Sequence, residues 1–221
     1  MMLDLSYNKI GGLQDGLFER LQNLRGLDLS DNLIASLPNG SFEGLHSLEM
    51  LYLSANLIES LQDGLFDGLQ SLDVLVLYDN SIANLGDGSF DALRSLSVLC
   101  LRHNSIVSLH DRLFDDFSHL TTLDLSYNSI VSLQDGLFDG LLMLETLDLS
   151  HNNISFIGLK VFYDSQLVTI RTLDLSYNAL TSLEPWCIRG YRIRILLSHN
   201  LISHFTNKLG LHANIGCDIY P

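Results

Sequence analysis

Leucine, isoleucine and phenylalanine recur along this chain on a 24-residue beat, and the polar residue that recurs with them is asparagine. Residues Leu24 to Ser47 show the unit. Leu24, Leu27 and Leu29 fall at alternating or near-alternating positions, the mark of a short strand with one buried face. Asn32 follows three residues later, Ile34 and Leu37 point inward again, and Phe42 and Leu45 complete the coil. The next unit refills the same slots with Leu48, Leu51, Leu53, Asn56, Ile58, Leu61, Phe66 and Leu69. The asparagines run Asn8, Asn32, Asn56, Asn80, Asn104, Asn128 and Asn152 at 24-residue spacing, then 26 residues to Asn178 and 22 to Asn200. A fixed period in this range predicts a solenoid, in which each unit is one coil and buries its apolar face only against its neighbours.

The pattern dictates most of the architecture. Because every repeat returns to the same register, about nine short parallel strands should line one wall. Phe18, Phe42, Phe66, Phe90, Phe114, Phe138 and Phe162 lie ten residues after their asparagines and should stack on the opposite, irregular side. Strands pack closer than that Phe-lined side, so the stack should curve with the sheet inside. Each asparagine carries donors and an acceptor, and is expected to satisfy backbone groups left unpaired where the coil turns. Gly16, Gly40, Gly64, Gly88 and Gly136 precede phenylalanines by two residues and suit a tight turn or a close backbone approach. Arg112 and Lys160 hold that slot in two other coils, which should turn differently.

Composition narrows the reading. Net charge is −14, with 22 acidic and 6 basic side chains in residues 1–159 against 4 and 6 in 160–221. Acids keep a leucine-rich surface soluble, and the acidic balance leads us to expect no nucleic-acid partner. No apolar run is long enough to span a membrane. Of three cysteines, Cys100 lies inside an expected strand, while Cys187 and Cys217 flank the last repeat. A Cys187–Cys217 bridge would suit an extracellular end-cap; the alternative is three reduced thiols. Asn39-Gly40-Ser41 and Asn153-Ile154-Ser155 are glycosylation acceptor triplets. Eight histidines are scattered, and no metal-binding helix, nucleophile elbow or phosphate loop is present, so neither catalysis, a cofactor nor a metal site is expected.

The unit in LRGLDLSDNLIASLPNGSFEGLHS resembles the typical 24-residue leucine-rich repeat, and the likeness covers about residues 1–205. It differs from the longer repeats of the ribonuclease-inhibitor class and from the Ile-Pro-marked repeats of plant receptors. The phrases LQDGLFDGL and LDLSYN are similar to those of Toll-like receptor ectodomains and lamprey variable lymphocyte receptors. The resemblance implies a horseshoe-shaped α/β-type solenoid with a concave parallel sheet and an irregular, 3-10-containing convex side. It also implies an array over 1–205 and a C-terminal flanking segment, 206–221, forming a partial cap. EPWCIRG resembles the start of a C-terminal cysteine cap, yet RIRILLSHNLISHF follows it, and no N-terminal cysteine cap precedes Met1. The expectation is a portion of a longer extracellular or cell-surface protein.

Within LxxLxLxxN the residues between leucines face outward on the sheet. Aspartate fills the central position in most units: Asp4, Asp28, Asp124, Asp148 and Asp174. Units three to five depart from it, carrying Met50, Tyr52, Val74, Val76, Tyr78, Val98 and Cys100, with Arg102 and His103 at the border. An apolar and aromatic patch between acidic flanks is the candidate binding surface for a protein or lipid-like ligand; the bland alternative is a sheet that tolerates valine. The leading function is a non-catalytic recognition module resembling the ligand-binding part of an innate immune receptor. A secreted matrix or adhesion protein and an intracellular scaffold are the alternatives. Oligomeric state is not legible in the sequence.

Overall fold

The computed structural model describes residues 1–162, 167–182, 193–203 and 218–220. They fall in two compact units, Met1–Ile106 and Val107–Pro221. The first unit holds strands β1 (Met2–Asp4), β2 (Gly26–Asp28), β3 (Met50–Tyr52), β4 (Ser60–Leu61), β5 (Val74–Val76), β6 (Asn84–Leu85) and β7 (Val98–Cys100). The second holds β8 (Thr122–Asp124), β9 (Ser132–Leu133), β10 (Thr146–Asp148), β11 (Phe156–Ile157), β12 (Thr172–Asp174), β13 (Arg194–Leu196) and β14 (Asp218–Tyr220). Cys187 and Cys217, and most of the expected cap at 206–221, lie outside the described residues.

In each unit the strands pair in parallel and in sequence register. Met50 pairs with Val74 and Val74 with Val98, one full repeat per step. The longer and shorter intervals on either side of Asn178 leave this register intact, since Thr146 pairs with Thr172 and Thr172 with Arg194. Among the described residues the repeats supply five such strands in the first unit (β1, β2, β3, β5 and β7) and four in the second (β8, β10, β12 and β13), nine in all, as the period predicts. The tenth, β14, pairs with β13 from a stretch without the repeat pattern.

The middle residues of β2, β3, β5, β7, β8, β10 and β12 are leucines at 0% exposure (Leu27, Leu51, Leu75, Leu99, Leu123, Leu147 and Leu173), and that of β13 is Ile195 at 7%. Opposite the sheet, all seven expected phenylalanines are buried. Phe42, Phe66 and Phe90 stack at 5.9 and 6.2 Å between ring centroids, and Phe114, Phe138 and Phe162 at 6.2 and 6.0 Å. Strands sit only about 4.8 Å apart. The longer repeat distance on the phenylalanine side bends each unit with its sheet on the inner wall. That outer side also carries a 3-10 helix, Asn39–Phe42, and two small parallel pairs, β4 with β6 and β9 with β11.

Two glycine expectations need correction. Gly16, Gly64 and Gly136 adopt the left-handed backbone of a tight turn, but Gly40 and Gly88 do not. Gly40 lies in the 3-10 helix, and its coil makes the left-handed turn at Gly44, where a Cβ would meet the backbone of Glu19 at 2.6 Å. Arg112 and Lys160 stay out of the left-handed region that Gly16, Gly64 and Gly136 adopt at this slot.

The asparagines hold the coils together. Asn56 is 6% exposed. Its amide nitrogen donates to Leu53 O (3.2 Å) and Ser54 O (3.1 Å) of its own coil and to Leu29 O (3.0 Å) of the preceding one. Its carbonyl accepts the Ile34 N–H at 3.0 Å. The same set recurs at Asn32, Asn80, Asn104 and Asn152, and Asn178 and Asn200 keep its inter-coil links despite their altered spacing. Asn128 bonds Leu125 O and Ser126 O of its own coil. Exposed Asn8 donates only to Leu5 O and Ser6 O. Asn56→Leu therefore strands several buried backbone groups and should cost about 2–4 kcal/mol, at roughly 1–3 kcal/mol for each unsatisfied group. Asn8→Leu should cost less than half as much. Urea denaturation of both variants measures this, and equal losses would refute a ladder that works by bridging coils.

Candidate functional site

The sheet register assembles the candidate residues of the first unit into a grid. Met50, Val74 and Val98 form one row across β3, β5 and β7, and Tyr52, Val76 and Cys100 form the next. With strands about 4.8 Å apart and alternate residues about 6.7 Å apart, the grid covers roughly 10 by 7 Å. These six side chains are half-buried, because neighbouring rows pack against one another, while the leucines between them are fully buried. The Tyr52 hydroxyl lies 3.6 Å from the Met50 sulfur, a weak donor contact within the grid. Valine and tyrosine suit this pleated surface through cross-strand contact.

The border residues also depart from the repeat. The position two before each asparagine is serine in Ser30, Ser54, Ser126, Ser150 and Ser176, but Tyr78 and Arg102 in the patch. Tyr78 is 40% exposed, and its ring lies 6.1 Å from that of His103 at a tilt of 59°. His103 Nδ1 lies 3.0 Å from Asp79 Oδ1. The site is thus an apolar floor with a rim of one phenol, one guanidinium and an imidazole–carboxylate pair. It can hold a ligand that buries apolar or aromatic surface, with the rim fixing polar groups. Among the described residues, no nucleophile, base and oxyanion donors converge in it. The two acceptor asparagines, Asn39 and Asn153, are both exposed, and neither belongs to the grid.

The second unit presents a different face. Thr122, Thr146 and Thr172 form one row, and Asp124, Asp148 and Asp174 the next. Each aspartate accepts the N–H of the serine two residues on: Ser126 at 2.9 Å, Ser150 at 2.9 Å and Ser176 at 2.8 Å. The Asp148 carboxyl is raised above the usual carboxylate range, first by burial and then by the neighbouring charges of Asp124 and Asp174; the Ser150 hydrogen bonds oppose the shift.

One feature of this unit was not expected from the sequence. Tyr127, His151, Tyr177 and His199 stack in one column, with centroids 4.0, 4.1 and 4.1 Å apart and planes within 15°. Each precedes a ladder asparagine and has φ of 53–57°, a left-handed conformation uncommon outside glycine. The conformation is held by the next coil: Tyr127, His151 and Tyr177 donate their N–H to Ser150, Ser176 and Ser198 at 2.9–3.0 Å. The signal in the sequence was an aromatic ring at the same slot in four successive repeats.

The comparisons with known proteins agree with this geometry. The leucine rich repeat family model matches residues 1–58, 50–106, 94–154 and 143–202. Among solved structures, the chain is similar to the receptor of the TLR13–ssRNA13 complex, with 32% identity and a TM-score of 0.85. The match covers 93% of this chain and 29% of that one. No curated protein sequence matches. The RNA-bound relative overturns the expectation that nucleic acid is excluded as a partner. That expectation rested on net charge, a sum over the whole chain, whereas a ligand meets only the side chains within a Debye length of its own surface, about 8 Å. Among the described residues, no helix is long and apolar enough to cross a membrane.

The elevated carboxyl predicts a pH signature. A proton binds Asp148 more tightly in the folded chain than in the unfolded one. Stability therefore falls as pH rises from the ordinary carboxylate value through the folded one, and stays reduced above it. Asp148→Asn, which keeps an oxygen for the Ser150 amide, should raise the thermal midpoint at pH 7. The gain should vanish below about pH 3.5, where carboxylates are neutral in both states. A gain independent of pH in thermal scans would contradict this.

Proposed function

The chain belongs to the leucine-rich repeat family, and from that premise we propose that it is a non-catalytic recognition module of the Toll-like receptor ectodomain type. It grips its ligand on the grid of Met50, Tyr52, Val74, Val76, Val98 and Cys100, with Tyr78, Arg102 and His103 as rim. The observation that carries this reading is the replacement, in three successive coils, of the repeat's aspartate by Tyr52, Val76 and Cys100 on one sheet face, with the repeat's serine replaced by Tyr78 and Arg102 in the last two of them. Identity of 32% to a receptor favours this over the matrix and scaffold alternatives. The chain spans 29% of the receptor's length, so a larger protein's signalling or assembly is not assigned to it.

The ligand that best fits an apolar floor is a protein or lipid-like surface. The RNA-bound relative supports a second reading, in which bases of a single strand stack on Tyr52 and Tyr78 while Arg102 meets a phosphate. Salt separates the two, because phosphate contacts weaken steeply with ionic strength and apolar ones do not.

Tyr52→Asp with Val76→Asp places in both coils the residue that Asp28, Asp124, Asp148 and Asp174 carry at that position, so the double variant should fold with an unchanged circular dichroism spectrum. A photo-reactive phenylalanine at Val98 should capture the ligand from serum or cell supernatant, and the double variant should lose the adduct. Capture that survives the double variant would remove this assignment. For the RNA reading, labelled single-stranded RNA should bind with strong salt dependence and lose roughly ten-fold with Arg102→Ala.

An extracellular setting also follows from the proposal. Asn39 and Asn153 lie exposed in acceptor triplets, although the Asn39 amide donates to Asp63 O at 2.9 Å and Ser41 is buried, which makes Asn153 the better acceptor. Expressed through a secretory pathway, the protein should lose mass on glycosidase treatment. Unmodified asparagines at both positions would count against this setting.

A further inference from the structure

Three residues of the second unit depart together from the coils around them. The slot of Phe156 holds Ser60, Asn84, Ser108 and Ser132 in preceding coils, and that of Leu159 holds Asp63, Asp87, Asp111 and Asp135. Polar positions have become large and apolar, and both side chains remain out in solvent, Phe156 at 55% and Leu159 at 67% exposure. Between them stands Gly158. Its N–H donates to Leu133 O at 2.9 Å, and a Cβ there would run into the Asp135 carboxylate as it stands, where the two preceding coils carry Gln134 and His110.

Beside Gly158 opens a pocket of about 650 Å³ on the flank of the β9–β11 pair. Its lining is of two kinds, apolar at Leu109, Phe156 and Leu159 and polar at His110, Asp111, Gln134 and Asp135. Asp135 gives Oδ1 to the Lys160 backbone N–H at 2.8 Å, and Asp111 is exposed on the neighbouring coil.

These walls limit the occupant. A wholly apolar group would desolvate two carboxylates without compensation. An anion would be repelled by them. A bare cation would leave Phe156 and Leu159 in water. Arginine meets both walls: its methylene stem covers leucine, its guanidinium plane lies over an aromatic face, and its fork donates to carboxylates. The carboxylates of Asp111 and Asp135 supply local negative charge that favours a basic segment here.

We propose that this pocket is a second binding site, independent of the sheet face of the first unit, and that it takes an arginine side chain of a basic peptide segment in a partner protein. The guanidinium sits between Phe156 and the carboxylates of Asp111 and Asp135, and its stem lies against Leu109 and Leu159.

The test is a titration of the full chain with acetyl-Leu-Arg-Leu-amide, followed by the NMR signals of Phe156 and Leu159. The peptide with norleucine in place of arginine is the control. The arginine peptide should shift both residues saturably, and the norleucine peptide should bind roughly ten-fold more weakly or worse. Phe156→Ser, which installs the residue of Ser108 and Ser132, should leave the circular dichroism spectrum unchanged and weaken the arginine peptide roughly ten-fold. Asp111→Asn, an exposed isosteric change, should weaken it by a similar factor. Equal binding of both peptides, undiminished affinity in either variant, or no shift at Phe156 and Leu159 at millimolar arginine peptide would each overturn the proposal.

Discussion

A coil that turns back on itself within a single repeat must bring backbone amides and carbonyls into its own interior, where water cannot pair with them. The asparagine side chain resolves this. It reads its own turn through Nδ2 and reaches into the preceding coil through both ends of the amide, so each bond set joins two repeats. Everything else in the fold presupposes it. The strands keep their register because the turn after each one is pinned, and the leucines point inward because the strands keep register. The pinning also tolerates change elsewhere: where the repeat interval is stretched, Asn178 still bonds Ile154 N and Leu149 O.

Once the interior is fixed, function is left to the slots that the ladder does not need. Three groups of such slots differ from the rest of the chain. On the sheet of the first unit, aspartates and serines give way to valine, methionine and tyrosine. In the second unit, rings stack at the residue before asparagine. On the flank of that unit, serine and aspartate become Phe156 and Leu159. The ring column has a structural consequence of its own, since near-parallel rings at 4.0–4.1 Å tie successive coils together outside the core. In the ring column the ring faces cover one another, although Tyr127 and Tyr177 stay 37% and 44% exposed; the binding assignments rest on the other two groups, where polar slots have become apolar.

Charge gave the least transferable argument. A net charge of −14 describes solubility well and partner choice poorly. The two sheet faces show why. The row Asp124–Asp148–Asp174 concentrates negative charge enough to help raise one of its own carboxyls, whereas the row Tyr52–Val76–Cys100 carries no charge and has Arg102 at its border. Acidic residues are abundant overall and absent from that row, so an average over the chain excludes no ligand there, nucleic acid included.

Periodicity alone settled the parallel strands, the inward leucines, the stacked phenylalanines and the structural role of asparagine, because each is a local rule repeated at fixed spacing. It also named the residues of the sheet grid, since alternation on a strand determines which side chains share a face. It misjudged Gly40, which lies in a 3-10 helix, and did not single out Gly44, which is left-handed and where the Glu19 backbone of the preceding coil leaves no room for a Cβ, a contact that no local pattern encodes. Other features needed three dimensions for the same reason. Tyr127, His151, Tyr177 and His199 become a column only when stacking converts a whole repeat of sequence into a ring separation of 4.0–4.1 Å. The pocket at Gly158 exists only because Asp111 and Asp135 of other coils come alongside Phe156 and Leu159. A repeat written in sequence specifies what every coil shares; what one coil does against the next depends on side chains from separate coils meeting, and folding alone decides that.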